Sequence, residues 1–381
     1  MEKVRIAVVC AFGLEAIVKR ELQTLGYHDL TVDNGWIMFD GTMEDIIKTN
    51  ICLRSAERIL IIVGEFQVEQ FSELYDQTSN LPWEDWIVKN GTFPVSGKSV
   101  KSKLFSISDC QSIVKKGIVD RLRQAYDMEW MPETGSEYAV QISIHKDWAR
   151  LTLDTTGSRE GLFKRGYRKN SVEAPIKETM AAAMVQLSFW NKERILLDPM
   201  CGSGTIVIEA ALMGTNTPPG LYRIFASEQW QAIPDHLWHQ IRDDLERQVD
   251  DEVDLKIFAS DNDPKAIEAA KMNAKRAGVD HLIQFKVQAL HEVKLPGDYG
   301  IMITNPPYGD RISDMDEVQQ ISQDLGKIFG ADSTWSSYII TPFDKLERFF
   351  GKKASRKRKL FNGNVKVNYY QFFGEKKPSH E

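Results

Sequence analysis

ILLDPMCGSGTIVIEAALMG, residues 195–214, decides the fold class of this chain. An apolar run ends at Asp198, a short glycine-bearing turn follows, and an apolar helical stretch continues to Gly214. Strand, tight turn and helix in that order open a doubly wound α/β sheet. Gly202 and Gly204 remove the Cβ atoms that would hold a ligand away from the backbone. Ile206 and Val207 stand where the third glycine of a dinucleotide GxGxxG turn would lie, so that longer motif is not matched. A carboxylate at the strand end is awkward for a pyrophosphate. It suits a cationic ligand with an amino group, such as S-adenosylmethionine. The plain alternative is a structural turn.

KIFASDNDPKAIEAAKMNAKRAGV, residues 256–279, repeats the strand-then-helix pattern, with Asp261 and Asn262 at the junction and Pro264 opening the helix. A carboxylate there is where such sheets hold ribose hydroxyls. The usual separation from the glycine turn is about 20 residues. Glu228 lies nearer that distance, but Asp261 has both the strand before it and the helix after it, so the stretch between reads as an insertion. The alternative role for Asp261 is a helix N-cap.

GIMITNPPYGDRI, residues 300–312, is the sharpest signal. A strand ends at Asn305, Pro306 and Pro307 stiffen the loop, and Tyr308 follows. An exocyclic amine on a base is a poor nucleophile because its lone pair is delocalised into the ring. The Asn305 side-chain oxygen and the Pro306 carbonyl can accept its two N–H bonds and keep that lone pair in line with a methyl sulfonium. Orientation then supplies much of the rate without a strong base. Tyr308 can stack on an extruded base. The alternative is a proline-rich turn.

Outward from these motifs, IQFKV, SSYIITP and VKVNYYQFF are further strand candidates, with helices between most of them. This predicts a doubly wound sheet, closed by an antiparallel hairpin at an Asn362–Gly363 turn. The first 65 residues alternate strand and helix patterns (VRIAVVC, LEAIVKRELQTLG, GWIMFDG, MEDIIKTNICLRSA, ERILIIVGEF), as in a small α+β module. In residues 66–160, SISDCQSIVKKGIVDRLRQAY predicts a helix with Ser108 as N-cap, and EYAVQISIHKDWARLTLDTTG two strands joined near His145 to Trp148.

Hydrophobic content of 42% and charged content of 27% are those of an ordinary globular chain. The net charge of −6 excludes a wholesale basic nucleic-acid binder, yet charge is clustered. KKASRKRK, residues 352–359, holds six basic residues in eight, and residues 98–123 carry seven Lys or Arg against two Asp. Such patches on an acidic protein suit directed contact with a polyanion, or simply a solvated surface. An acidic stretch at 243–254 has no functional account. Cys10, Cys52, Cys110 and Cys201 are scattered, which argues against a metal site or disulfide framework and fits the cytoplasm. The opening residues lack a cleavage signal, and no stretch has the apolar length of a membrane span.

DPMCGSGT, ASDNDPKAI and NPPYGDR in this order resemble the class I methyltransferases that act on amino groups of adenine or guanine. LDTTGSREGLFKRGYRKNSVEAPIKETMAAAM, residues 153–184, resembles the junction between a THUMP domain and such a methyltransferase domain, and CAFGLEAIVKREL with the basic KSVKSKLFSISDCQSIVKK resembles the same family's N-terminal half. The likeness covers essentially the whole chain. It is closest to the guanine-N2 half of bacterial 23S rRNA methyltransferase L, proteins often labelled N6-adenine-specific DNA methylases because of NPPY.

The resemblance implies a ferredoxin-like module over 1–65, a THUMP RNA-binding domain over 66–160 and a Rossmann-like methyltransferase domain over 161–381. It implies S-adenosylmethionine as cofactor, with Asp198, Gly202 and Gly204 at its methionine end, Asp261 and Asn262 at the ribose, and Gln288 where the family commonly has an adenine-contacting Asp. Asn305, Pro306, Pro307 and Tyr308 would form the target-amine site. Arg165 and Arg168 would contact RNA phosphate or close the cofactor site, with Lys177 and Glu178 beside it and Arg311 near the base. Phe361 would be a second stacking wall or core. The implied activity is N2-methylation of a guanine flipped out of RNA, 23S rRNA first, with no membrane or obligate protein partner. Methylation of tRNA, N6-adenine methylation of DNA and an inactive RNA-binding protein remain as rivals.

Overall fold

The computed structural model describes residues 3–169, 176–308, 315–331, 334–363 and 365–376. The chain divides into two compact units. One comprises Met1–Cys10, Lys19–Leu162 and Gly220–Leu245, the other Ala11–Val18, Phe163–Pro219 and Glu246–Glu381.

The first unit is built on a mainly antiparallel sheet. Its elements are β1 (Val4–Cys10), α1 (Glu15–Thr24, clustered with the first unit from residue 19), β2 (Thr31–Asp33), β3 (Trp36–Gly41), α2 (Met43–Cys52), β4 (Ala56–Gln67), α3 (Phe71–Ser79), β5 (Val95–Val100), α4 (Ile107–Tyr126), β6 (Val140–His145) and β7 (Trp148–Asp154). The seven strands form one sheet in the order β2-β3-β1-β4-β7-β6-β5. The long β4 makes this possible, pairing with β1 on one side and β7 on the other. Local chemistry sets the element ends. Thr42 and Asp45 form a capping box at the start of α2. Lys146 and Asp147, both with positive φ, make the tight β6–β7 turn. The expected N-cap at Ser108 is corrected: α4 begins at Ile107, Ser106 occupies the cap position, and Ser108 lies in the first turn, where its carbonyl accepts from Ser112 Oγ (2.9 Å).

The second unit contains α5 (Glu178–Leu187), β8 (Leu196–Asp198), α6 (Thr205–Gly214), β9 (Ile257–Asp261), α8 (Pro264–Arg276), β10 (Ile283–Val287), β11 (Ile301–Thr304), α9 (Met315–Leu325), β12 (Ser336–Thr341), α10 (Leu346–Phe350), β13 (Arg356–Asn362) and β14 (Val365–Phe372), while α7 (Asp235–Glu246), which lies between α6 and β9 in sequence, clusters with the first unit up to residue 245. Strand order is β10-β9-β8-β11-β12-β14-β13, parallel through β12 and closed by the antiparallel hairpin. One core includes buried residues of α5, α6 and α8, the other Val318 and Leu325 of α9 with Leu346 and Phe350 of α10. In α6 every residue from Thr205 to Leu212 is buried, so burial overrides the weak helix preference of its β-branched residues. No α-helix joins β10 to β11 among the described residues, only a short turn at Leu290–Glu292. In the terminal hairpin Asn362 pairs with Val365, so Gly363 (φ +61°), rather than the Asn362–Gly363 pair, starts the turn.

The insertion between α6 and β9 belongs structurally to the first unit over 220–245. Trp230 explains why: its indole N–H donates to the Glu137 carbonyl (2.8 Å) and its ring stacks on Tyr138 at 5.0 Å.

Candidate active site

Strand order reverses between β8 and β11, the neighbours at the centre of the second unit's sheet. Parallel sheets bind ligands beyond the carboxyl ends of strands at such a switch point. Three sequence motifs end there: Asp198 closes β8, Asp261 closes β9, and Asn305 follows β11.

Asp198 is 1% exposed. Its Oδ1 accepts from the Met200 amide (3.2 Å) and from Thr304 Oγ1 (2.8 Å), which fixes the carboxylate across to β11. Burial pushes its carboxyl up to about 7 against those two bonds, and Asp261 adds to the rise. A buried anion held short of full ionisation is stabilised by a cation beside it. The turn between β8 and α6 is pinned from the next strand: Gly202 (φ +52°) donates its N–H to Asp261 Oδ2 (2.9 Å). Gly204 (φ +82°) sits before α6, and a Cβ there would meet Ala270 Cβ at 3.0 Å. Asp261 Oδ1 accepts from the Asp263 amide (3.0 Å), so each carboxylate oxygen keeps capacity for a ligand hydroxyl. The N-cap of α8 is Asp263, which accepts from the Lys265 amide at 2.9 Å, not Asp261. Asn262 is exposed beside it.

Gln288 follows β10. Its backbone N–H donates to the Asp261 carbonyl (2.9 Å) and its side-chain amide donates to the Glu292 carbonyl (2.6 Å), leaving the amide oxygen as acceptor. It also lines a cavity of about 490 Å³ with Leu197, Phe258, Ser260, Gln284 and Lys286. That cavity excludes Asp198, Gly202, Asp261 and Asn305, so it is a neighbour of this site and not the site itself.

Asn305 Oδ1 is buried and has no hydrogen-bond partner among the described residues. An unsatisfied buried acceptor costs about 1–3 kcal/mol. Pro306 beside it is buried, Pro307 exposed, and Tyr308 partly buried with its hydroxyl accepting from Asn362 Nδ2 (3.2 Å). Arg311 lies outside the described residues.

The arginines of FKRGYR are in a different setting from a phosphate-binding surface. Arg165 is 8% exposed and pairs with Glu209 (3.5 Å), which also accepts from the Tyr167 hydroxyl (3.0 Å). Arg168 donates to the Ile176 carbonyl (2.6 Å), to Glu178 (2.7 Å) and to Thr205 Oγ1 (3.4 Å) at the start of α6. Burial raises Glu178 to about 7, with Arg168 opposing. Phosphate contact by these two guanidiniums is therefore set aside: Arg168 braces the start of α6 at Thr205, and Arg165 holds Glu209 within that helix. Lys177 lies over the Phe163 ring at 4.6 Å. Glu228 is committed to Arg242 (2.6 Å) in the first unit. Sequence reasoning passed over Thr304 and Glu209. Glu209 had a signal, as the one charged residue in the apolar TIVIEAALMG; Thr304 had none.

Comparison with known proteins identifies the families the chain matches. The RMKL-like methyltransferase domain family matches residues 165–371, the RlmL ferredoxin-like domain 5–60, and the THUMP domain 68–154. The Bacillus subtilis protein YpsC, provisionally named an RNA methyltransferase, is 44% identical over 99% of this chain and 98% of its own. Ribosomal RNA large subunit methyltransferase K/L of Psychromonas ingrahamii is 33% identical over 93% of this chain but 48% of its own, so the chain spans about half the length of that relative. Among solved structures SMU.472, provisionally described as a methyltransferase and complexed with SAH, superposes with a TM-score of 0.93 at 41% identity, covering 99% of this chain and 100% of that one.

Proposed function

The chain belongs to the RMKL-like methyltransferase family, with S-adenosylmethionine as its methyl donor, and on that premise we propose that it methylates the exocyclic N2 amine of a guanine in RNA, with 23S rRNA as substrate. When bound, the donor supplies a methyl group on a positively charged sulfur. Asp198, Gly202 and Gly204 hold its amino-acid end, the buried Asp198 carboxylate facing its positive charge. Asp261 and Asn262 take the ribose, and the Gln288 amide oxygen takes the adenine amino group.

The observation that carries the reading is the buried Asn305 Oδ1, which has no partner among the described residues. It stands next to Thr304, the residue that anchors Asp198. An acceptor desolvated in advance is satisfied when an amine N–H arrives, and its cost before that is the mark of a preorganised site. The Pro306 carbonyl accepts the second N–H, Pro307 stiffens the loop, and Tyr308 stacks on the base. The amine is thus oriented, and water is kept from competing for its protons. Base flipping brings the guanine to this pocket. The modules over 1–65 and 66–160 capture RNA through backbone charge and shape, and 161–381 carries the chemistry in the cytoplasm.

The test is transfer of labelled methyl groups to rRNA and tRNA lacking their own methylation, and to duplex DNA, with nucleoside analysis. N2-methylguanosine in 23S rRNA is the expected product. N6-methyladenine, or label confined to tRNA or DNA, would overturn the substrate assignment while leaving the donor intact.

A further inference from the structure

Residues 11–14 cluster with the second unit and run against its outer strand. Gly13 (φ +93°) makes this close approach possible: a Cβ there would meet the Lys359 carbonyl at 3.1 Å and Leu360 Cδ2 at 3.3 Å. Leu14 is buried in the same core as Leu360, and Ala11 and Tyr308 both pack against that core. Phe12 does the opposite. It is 58% exposed, and its ring meets Phe361 of β13 edge-on, centroids 6.1 Å apart at 71°. Phe12 is followed by exposed Gly13 and buried Leu14, so its ring stands at the surface beside β13, open to a further contact.

The surroundings indicate its chemistry. Phe361 is followed by Asn362, whose amide donates to the Tyr308 hydroxyl (3.2 Å), so β13 leads directly to the NPPY loop. Along β13, Lys357, Lys359 and Phe361 share a face by the two-residue period of a strand, and Lys366 stands opposite Phe361 in register. Lys352, Lys353, Arg356, Lys357, Lys359 and Lys366 are all exposed. Glu15, the nearest carboxylate in sequence, is turned onto the Gly13 amide (2.9 Å). An exposed aromatic ring beside a half-buried one, at the end of a row of cations, is a combination that suits single-stranded nucleic acid: bases stack and phosphates pair.

We propose that Phe12 and Phe361 form a stacking platform for a nucleotide adjacent to the target base, fed by a basic track along β13. The inference rests on the reading of Asn305–Tyr308 as the target-amine site. It adds a residue from the N-terminal segment to the substrate contacts of the methyltransferase unit.

The test uses the full chain. A fluorescein-labelled single-stranded RNA of mixed sequence reports affinity, unmethylated rRNA reports methyl transfer, and calorimetry reports S-adenosylmethionine binding. Phe12→Ala is expected to weaken RNA binding roughly 5- to 150-fold, the range of one lost base stack, and to raise KM for rRNA with donor affinity unchanged. Phe12→Leu does not restore affinity. Phe12→Trp does, and the fluorescence of the introduced indole is quenched by RNA. Lys357→Gln with Lys359→Gln lowers the slope of log affinity against log salt by about 1.4, at about 0.7 per phosphate. Wild-type RNA affinity and KM in both Phe12→Ala and Phe361→Leu would overturn the platform. If the wild-type chain instead methylates no RNA, the proposed function fails, and the quenching in the Phe12→Trp variant and the salt slope still decide whether RNA lies on this surface.

Discussion

Replacing Asn305 by alanine separates a catalytic acceptor from a structural one, because the two roles predict opposite changes in stability. In the structure the Asn305 oxygen is buried without a partner among the described residues. Its removal relieves a penalty of about 1–3 kcal/mol, offset in part by the lost packing of a small side chain. For a unit of this size each kcal/mol moves the melting temperature by about 2–4 °C. Asn305→Ala is therefore expected to melt at or above the wild-type temperature, by up to several degrees. Transfer should fall by about 10²- to 10³-fold, the cost typical of losing one preorganised hydrogen-bonding group. The loss should appear in kcat, because the contact matters most when the amine is aligned for attack. Calorimetric unfolding and single-turnover methyl transfer measure the two halves. A variant that unfolds several degrees early while keeping near-normal kcat would refute the reasoning and make Asn305 a structural residue.

Other outcomes follow from the same geometry. Because burial raises the Asp198 carboxyl to about 7, it is protonated below that pH in the free protein. Donor affinity should then strengthen as pH rises through 7 and level off above it, with a limiting slope of tenfold per unit; Asp198→Asn should bind weakly and lose this dependence even though Glu178 titrates in the same range. Asp261→Ala should weaken donor binding and loosen the turn held at Gly202, whereas Glu228→Ala, which removes the Arg242 pair and the bond from the Phe225 amide, should leave calorimetric donor affinity unchanged. Gly204→Ala should destabilise the second unit by about 1–2 kcal/mol from its left-handed backbone alone, with crowding against Ala270 adding to it, as read by thermal unfolding. Glu209→Ala removes a carboxylate from the buried Arg165 and should cost about 3–5 kcal/mol, seen as early unfolding without a change in the RNA salt slope.

Much of the architecture was legible because its causes are local. β-Branched runs gave the strands, and the Gly202–Gly204 turn gave the β8–α6 junction. The pattern also placed Asp198, Asp261 and Asn305 at strand ends, where the structure has them. The Ser108 cap was misplaced by two residues, a boundary that capping chemistry alone does not fix when Ser106 and Ser108 compete. The arginines of FKRGYR read as contacts to RNA phosphate or closers of the cofactor site because their partners, Glu209 and Glu178, lie on helices distant or indistinct in sequence.

The sequence by itself determined the doubly wound sheet, the identity of the acidic and amide groups at its edge, and the family. These depend on spacing, backbone preference and side-chain chemistry, all local quantities. Only the tertiary structure decided that Thr304 anchors an aspartate 106 residues away and that the Asn305 acceptor is left without a partner among the described residues. It alone grouped residues 220–245 with the first unit and 11–18 with the second. Burial, hydrogen-bond satisfaction and the resulting shift of Asp198 depend on what packs around a group, and the chain supplies that only once distant strands lie side by side.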